Sequence, residues 1–123
     1  MSDTKLFELS IADAGRKLRD GSITSTALTE DALSRIAAID PALDSFITVT
    51  ADRARADAAA ADAAFAKGID NGPMQGMPYA LKDIYDTGGI RSTCHSKLRV
   101  DHVPVAGSVD ATKFKAQGSR AAR

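Results

Sequence analysis

Lys82 is the residue of this chain whose position best fits catalytic chemistry. It follows the short apolar run Tyr79-Ala80-Leu81, which glycine- and proline-containing turns precede. A lysine acts as a base only after it loses its proton, and burial among apolar groups lowers a lysine pKa by several units from about 10.4. The apolar neighbours predict such burial, although most lysines at strand ends are solvated ammonium groups. We expect the adjacent Asp83 to accept hydrogen bonds from local backbone donors rather than to pair with Lys82.

Cysteine and histidine side chains offer two other chemistries. Cys94 and His95 are adjacent, and neighbouring side chains of an extended segment point apart, so a thiol nucleophile would need His102 to fold back as its base. His95, Asp101 and His102 match no standard zinc spacing. We therefore expect neither a Cys–His catalyst nor a metal site, and we interpret Cys94 as a packed or incidental cysteine.

The elements that must position the lysine begin with two helices. Ser10 followed by Asp13 has the spacing of a capping box and predicts a first helix, which Gly21 ends. Apolar residues at three- and four-residue spacing predict a second helix over 24–40. We expect Pro41 to end that helix, because a proline disfavours a helical residue before it.

Helices and strands alternate along the rest of the chain. An alanine-rich stretch predicts a long third helix that stops at Gly68, and β-branched or aromatic runs between turn residues predict short strands. We predict strands over 46–50, in the run that ends at Leu81 and within 90–98, and helices over 51–67 and 109–117. This alternation predicts an α/β fold.

The composition fits one soluble domain and argues against several classes of function. The 123 residues carry 16 basic and 16 acidic side chains, so no net charge steers nucleic acid or an anionic membrane to the protein. A single cysteine excludes an internal disulfide and suits a reducing compartment. The N-terminus lacks the apolar core of a signal peptide, and no run approaches the ~18 apolar residues that span a bilayer. We expect a cytoplasmic protein that binds neither membrane nor nucleic acid directly.

The segment around the lysine also resembles a known signature. Residues 76–83 read Gly-Met-Pro-Tyr-Ala-Leu-Lys-Asp, the form Gly-x-Pro-x-x-x-Lys-Asp of the amidase signature family. The resemblance continues at 34–41 (Ser-Arg-Ile-Ala-Ala-Ile-Asp-Pro), at 46–49 (Phe-Ile-Thr-Val) and at 92–96, where His95 replaces a usual glycine. It covers nearly the whole chain. It implies the N-terminal part of the amidase signature fold, in which helices flank a mixed central sheet.

The resemblance implies that Lys82 is the base of a serine–cis-serine–lysine triad. Family members cleave small-molecule amides to acid and ammonia through an acyl-serine, without a metal or organic cofactor. The Gly/Ser-rich stretch that holds both catalytic serines is not recognisable here. The serines after the lysine lie outside such a context: Ser92, Ser96, Ser108 and Ser119. We therefore expect the chain to be inactive alone.

The resemblance also predicts the domain organisation. We expect a single partial amidase domain over 1–123, with a mainly helical part at 1–70, the start of the signature core at 71–118 and an aberrant tail at 119–123. The tail stands where the family continues with an apolar strand, which we expect a basic, alanine-containing pentapeptide not to replace. The hypothesis that follows is a truncated amidase with a frameshift near Gly118.

Three alternatives stay open at this point. Within the family, the chain could instead be part of the A subunit of a tRNA-dependent Asp/Glu amidotransferase. From another class, it could be a non-catalytic interaction module or a split half, which binds a partner chain or self-associates through an exposed sheet edge. A hydrolase that works alone from Lys82 and a nearby serine is the least favoured.

Overall fold

The structure, a computed structural model, describes residues 5–116 and the backbone of 120–122. Four helices dominate it: α1 (Ile11–Arg19), α2 (Ser25–Leu43), α3 (Ala51–Ala66) and α4 (Val109–Ala116). Two strands, β1 (Pro78–Ala80) and β2 (Arg120–Ala122), form a parallel pair, and short 3-10 turns lie at Leu6–Glu8 and Lys97–Arg99. In this part of the chain, no helix is long and apolar enough to cross a membrane.

Helix α1 begins and ends where the sequence predicts. The Ser10 hydroxyl oxygen accepts a hydrogen bond from the Asp13 N–H at 3.1 Å, and the hydroxyl donates to the Asp13 carboxylate. The Ser10 hydroxyl, followed by the charge of Arg16, holds the pKa of Asp13 below its usual range. Gly21 follows the helix with φ 77°, the left-handed conformation that glycine adopts without strain.

Helix α2 continues past the proline that the sequence predicts as its end. Pro41 lies inside the last turn, and the helix ends at Leu43. The backbone stays helical there because Asp40 binds the N–H groups that follow. Its carbonyl accepts from the Asp44 N–H at 2.8 Å, and its carboxylate accepts from the Ser45 N–H at 2.7 Å. These bonds supply acceptors for the N–H groups that follow the last turn of the helix.

Helices α2 and α3 form an antiparallel pair. The Asp62 carboxylate accepts from the Ser25 N–H at 2.7 Å and from the Thr26 N–H at 3.0 Å, so an acidic side chain of α3 caps the N-terminus of α2. Further along the pair, Arg55 donates to both carboxylate oxygens of Glu30 at 2.6 and 3.2 Å. The predicted packed helix over 51–67 is thereby confirmed, apart from its last residue.

Three strand predictions need correction. Residues 46–50 form no strand, because no described residue provides the ladder of hydrogen bonds that a strand requires. Within 90–98 there is no strand either, only the isolated bridge of Ile90 with Thr87. Conversely, the backbone of Arg120–Ala122 does form a strand, in parallel register with Pro78–Ala80. The tail therefore contains a short strand that the sequence analysis did not predict.

The main core lies between the helices and the loop that leads into β1. Ala14 and Leu18 of α1, Leu28 of α2 and Met77 of the loop are buried together. Half-buried apolar residues pack around them: Leu6, Leu9, Ile23, Phe65 and Met74. Burial of one leucine side chain contributes about 1.5–3 kcal/mol. This core therefore fixes the loop before β1 against the helices.

Candidate active site

The loop before β1 packs closely on the helices at position 76, where the backbone conformation favours glycine. Gly76 has φ 77°, and a Cβ there would lie 3.1 Å from Phe65, 3.2 Å from Leu18 and 3.3 Å from the Ser25 Cβ. The buried Ser25 hydroxyl donates to the Gly76 carbonyl at 2.8 Å. The first glycine of the Gly-x-Pro-x-x-x-Lys-Asp segment is thus the point at which the lysine-bearing chain is fixed to the helices.

Two further side chains hold the residues upstream of Gly76. Gln75 is fully buried, and its amide donates to the Ile69 carbonyl at 2.9 Å while its oxygen accepts from the Asn71 N–H. Arg19 donates to both Asp70 carboxylate oxygens at 2.7 and 2.8 Å. This Arg19 hydrogen bond, followed by one from the Gly72 N–H, holds the pKa of Asp70 below its usual range.

Asp83 joins the lysine-bearing loop to the segment 92–96. Its carboxylate accepts from the Thr93 N–H at 3.0 and 3.1 Å and from the Thr93 hydroxyl. Its carbonyl accepts from the Cys94 N–H at 3.0 Å. Asp83 accepts from backbone donors, as predicted, but these donors belong to Thr93 and Cys94 in the segment 92–96 rather than to its immediate neighbours in sequence.

The turn that follows Thr93 is left-handed at two successive residues. Cys94 has φ 51° and His95 has φ 55°, conformations that favour glycine and cost a side-chain-bearing residue roughly 1–3 kcal/mol. The Thr93 hydroxyl oxygen accepts from the His95 N–H at 3.1 Å, which helps to hold this turn. Position 95 is where the signature has a usual glycine, and the backbone explains that preference.

Lys82 lies in a cleft of about 600 Å³ between two segments of loop. One wall is 45–48, the other is 80–84, and Cys94 and His95 lie at the end. Lys82 is exposed rather than buried, and the neighbouring Ile84 is 54% exposed. The expected burial of Lys82 is not observed: Ala80 and Ile84 are exposed, and Leu81 is only half-buried.

The wall at 45–48 includes a serine that is not among the sequence predictions. Ser45 lines the cleft together with Lys82, and its N–H is held by the Asp40 carboxylate at 2.7 Å. The sequence shows Asp40 and Pro41 next to each other. It does not show that the chain after them turns toward Lys82, which is about forty residues away in sequence.

The described serines after Lys82 do not line the cleft. Ser92 is fully buried, and its N–H donates to the His102 carbonyl at 2.9 Å. The Ser96 hydroxyl oxygen accepts from the Leu98 N–H at 3.3 Å, and that of Ser108 accepts from the Ala111 N–H at 3.3 Å, so both serines serve as caps. Ser119 lies outside the described residues.

The remaining candidate residues do not assemble into a second site. Cys94 is an exposed free cysteine, which corresponds to the incidental rather than the packed cysteine of the two predicted possibilities. Across residues 5–116, no group of three or more His, Cys, Asp or Glu side chains is placed to hold a metal ion. Lys82 and the residues that position it therefore form the candidate site, which can offer a base but shows no arranged nucleophile among the described residues.

A family model and curated proteins match this chain in sequence. Residues 27–120 match the protein-family model for Amidase. The A subunit of the glutamyl-tRNA(Gln) amidotransferase of Roseiflexus sp. (strain RS-1) is 43% identical over 94% of this chain, which corresponds to 24% of that protein.

Solved structures of amidases and related chains also superpose on this chain. The native peptide amidase of Stenotrophomonas maltophilia superposes with a TM-score of 0.87 at 27% identity, over 94% of this chain and 24% of that enzyme. A chain from a vestigial protein complex, studied for the origins of an s-triazine catabolic enzyme, gives a TM-score of 0.86 at 30% identity, over 93% of this chain and 25% of that one. The chain thus spans about a quarter of the length of the proteins that it matches.

Proposed function

Because this chain belongs to the amidase family, we propose that it supplies the lysine base of an amide hydrolase. The observation that carries the proposal is the setting of Lys82, which lies in the cleft on a loop fixed at both ends. Gly76 fixes the loop to the helices on one side, and Asp83 fixes it to Thr93 on the other. A base must be held in place to act in a defined direction, and this loop is held.

The proposed chemistry divides between this chain and the part of the fold that it does not span. A serine oxygen attacks the carbonyl carbon of a small-molecule amide, and its proton passes through a second serine to Lys82. The lysine returns the proton to the leaving nitrogen, which departs as ammonia, and water then cleaves the acyl-serine to release the acid. Both serines come from the part not spanned, in line with the resemblance to a serine–cis-serine–lysine mechanism.

The exposure of Lys82 is the reason why we propose that the chain is inactive alone. Lys82 lies open to water, whereas a general base works best in a site from which water is excluded. Elements that cover the cleft would exclude water from it. The same elements would bring the serines.

The proposal is tested by reconstitution. The chain is mixed or co-expressed with the Roseiflexus relative from which the matched quarter has been deleted, and ammonia release from simple amides is measured. We expect no activity from either piece, activity from the mixture and at least about a 100-fold loss with Lys82→Ala, the scale of lost general acid–base catalysis. Lys82→Arg keeps the charge and should be equally inactive. Hydrolysis by the 123-residue chain alone, abolished by Lys82→Ala and Ser45→Ala, would contradict the division of labour.

A second candidate function is favoured by the curated relatives. The Roseiflexus relative and others of about 40% identity are A subunits of glutamyl-tRNA(Gln) amidotransferases. In that case the reconstituted site would release ammonia from glutamine and pass it to a partner subunit, instead of releasing the ammonia of a simple amide to solvent. A strong preference for glutamine over simple carboxamides in the same assay favours this candidate, and the reverse preference favours the amidase.

The non-catalytic alternative is tested by the same mixture. A stable complex without activity on any amide, including glutamine, would identify the chain as an interaction module or an inactive split half. We propose a cytoplasmic location whether or not the chain is catalytic. The one cysteine, Cys94, is a free thiol, and free thiols are typical of reducing compartments. Cell fractionation that finds the protein outside the cytoplasm would contradict this location.

A further inference from the structure

The hydroxyl of Thr93 is used twice within the candidate site. It donates to the Asp83 carboxylate, and its oxygen accepts from the His95 N–H at 3.1 Å. A hydroxyl has one donor and two acceptor positions, so both bonds form at once. Thr93 is only 6% exposed, and a buried hydroxyl or carboxylate that loses its partner is costly. The same side chain thus holds the residue after Lys82 and the left-handed turn at the end of the cleft.

The main chain that carries Lys82 is bound at two successive carbonyl groups. The Lys82 carbonyl accepts from the Tyr85 N–H at 3.1 Å, and the Asp83 carbonyl accepts from the Cys94 N–H at 3.0 Å. The Thr93 N–H also donates to both carboxylate oxygens of Asp83, at 3.0 and 3.1 Å. Because the peptide group that joins Lys82 to Asp83 is planar and rigid, these bonds set the direction in which the lysine leaves the main chain.

The turn that the Thr93 hydroxyl holds forms another part of the cleft. Cys94 and His95 have positive φ, and both line the cleft together with Lys82. A side-chain-bearing residue keeps such a conformation only where its surroundings fix it, and the bond from the His95 N–H to Thr93 is one such contact. Loss of the hydroxyl would therefore release the lysine-bearing loop and the turn together.

We propose that Thr93 is the positioning residue for Lys82 and that it acts through Asp83. The Thr93 hydroxyl holds Asp83, Asp83 fixes the backbone of Lys82, and the lysine is thereby directed along the cleft. Thr93 is not among the described residues that line the cleft, so its role is to orient the base and not to contact the amide. The proposal rests on the proposed function, in which Lys82 is a base that must be aligned to transfer a proton.

Kinetics in the mixture with the truncated Roseiflexus relative test this role. Thr93→Val keeps the shape of the side chain but lacks the hydroxyl, and it should lower kcat at least about 10-fold with KM within about threefold, because a misplaced base affects the transition state. Thr93→Ser keeps the hydroxyl and should have a kcat within about threefold of the wild type. Thr29→Val is the matched control: Thr29 is 5% exposed but belongs to α2, so kcat should not change.

A double-variant comparison tests whether Thr93 acts through Asp83. Asp83→Ala removes the acceptor, and Asp83→Ala/Thr93→Val should lose no more kcat than Asp83→Ala alone, because the two residues form one interaction. Asp83→Ala also tests this interaction should Thr93→Val fail to fold. Losses that multiply in the double variant would show that Thr93 acts by another route. A raised KM with wild-type kcat, or a Thr93→Ser variant as slow as Thr93→Val, would also overturn the proposal.

A cross-link within the chain alone measures the geometry separately from activity. Cys94 is the single cysteine and lines the cleft with Lys82, so a short reagent with a thiol-reactive and an amine-reactive end attaches at Cys94 and then acylates an amine within reach. Lys97, three residues after Cys94, is the internal reference. Mass spectrometry should find that the ratio of Lys82 to Lys97 products falls at least about fivefold in Thr93→Val and is retained in Thr93→Ser.

The two tests fail in distinguishable ways. If the wild-type mixture releases no ammonia but the cross-link ratio falls as expected, the proposed function is wrong and Thr93 still holds Lys82 in place. If the ratio is unchanged in Thr93→Val, the positioning role is wrong whatever the activity of the mixture. An equal fall with Thr29→Val would indicate a general loss of structure and would overturn the positioning role as well.

Discussion

Two parts of the described chain differ in how well their side chains are buried. We call residues 5–77 the helical half and residues 78–116 the signature half. The helical half encloses its own core around Leu18 and Met77, and it satisfies buried polar groups such as those of Gln75 from within. The signature half is ordered mainly by backbone hydrogen bonds and by Asp83, while Leu98 and Lys82 remain exposed. The helical half thus contains the buried cluster that positions the loop before β1, whereas the lysine that this loop carries lies open to solvent.

The largest effect is expected where the two halves join. Gly76→Val introduces a side chain at φ 77° into contacts of 3.1–3.3 Å, so strain and overpacking should together destabilise the fold by about 2–4 kcal/mol. Gly89→Ala is the matched control, because its φ is 76° but no atom lies within 4 Å of the added Cβ; its cost should be only about 1 kcal/mol. Urea unfolding measures both. Equal costs would show that the junction is not closely packed.

A smaller effect is expected within the helical half. Asp62→Ala removes the acceptor of the Ser25 and Thr26 N–H groups and should lower the free energy of unfolding by about 1–2 kcal/mol, since helix caps contribute this much. Asp52→Ala, at a fully exposed aspartate in the first turn of α3, should change it by less than about 0.5 kcal/mol. Thermal unfolding that does not distinguish the two variants would break the claim that α2 and α3 support each other.

The smallest effect concerns the Arg19–Asp70 pair at the surface of the helical half. The pKa of Asp70 is lowered in the folded chain, so the pair stabilises the fold above the unfolded pKa of about 3.9, and this contribution is lost as the pH falls through the lower folded pKa. In an NMR titration, Arg19→Ala should raise the pKa of the Asp70 carboxyl toward its ordinary value. An unchanged Asp70 titration would mean that the Gly72 N–H alone sets it.

The sequence is sufficient for the starts of the helices and for the family, and insufficient for the end of α2 and where remote segments meet. The Ser10 cap and the alanine-rich helix follow from local chemistry, and the predicted α/β class and amidase signature fold are confirmed by the structural matches, although the described part is mostly helical. The run at 46–50 has strand-forming residues but no partner strand among the described residues, and a strand is a property of pairs.

The site shows the same division. The motif identifies Lys82, and the position of Asp83 predicts its binding role, but Thr93 as the partner and Ser45 as a neighbour arise from contacts between distant segments. The predicted burial of Lys82 rests on apolar neighbours in sequence. The prediction fails because those neighbours give the lysine little cover: Leu81 is only half-buried, and Ile84 is exposed.

Amide hydrogen exchange, measured on the chain alone and with the remainder of the Roseiflexus relative bound, tests the difference between the halves most directly. The account predicts that the free helical half is already protected around Leu18 and Gln75 and gains little in the complex, whereas residues 80–84 exchange quickly alone and become protected on binding. New protection confined to the helical half, or none in the signature half, would contradict it.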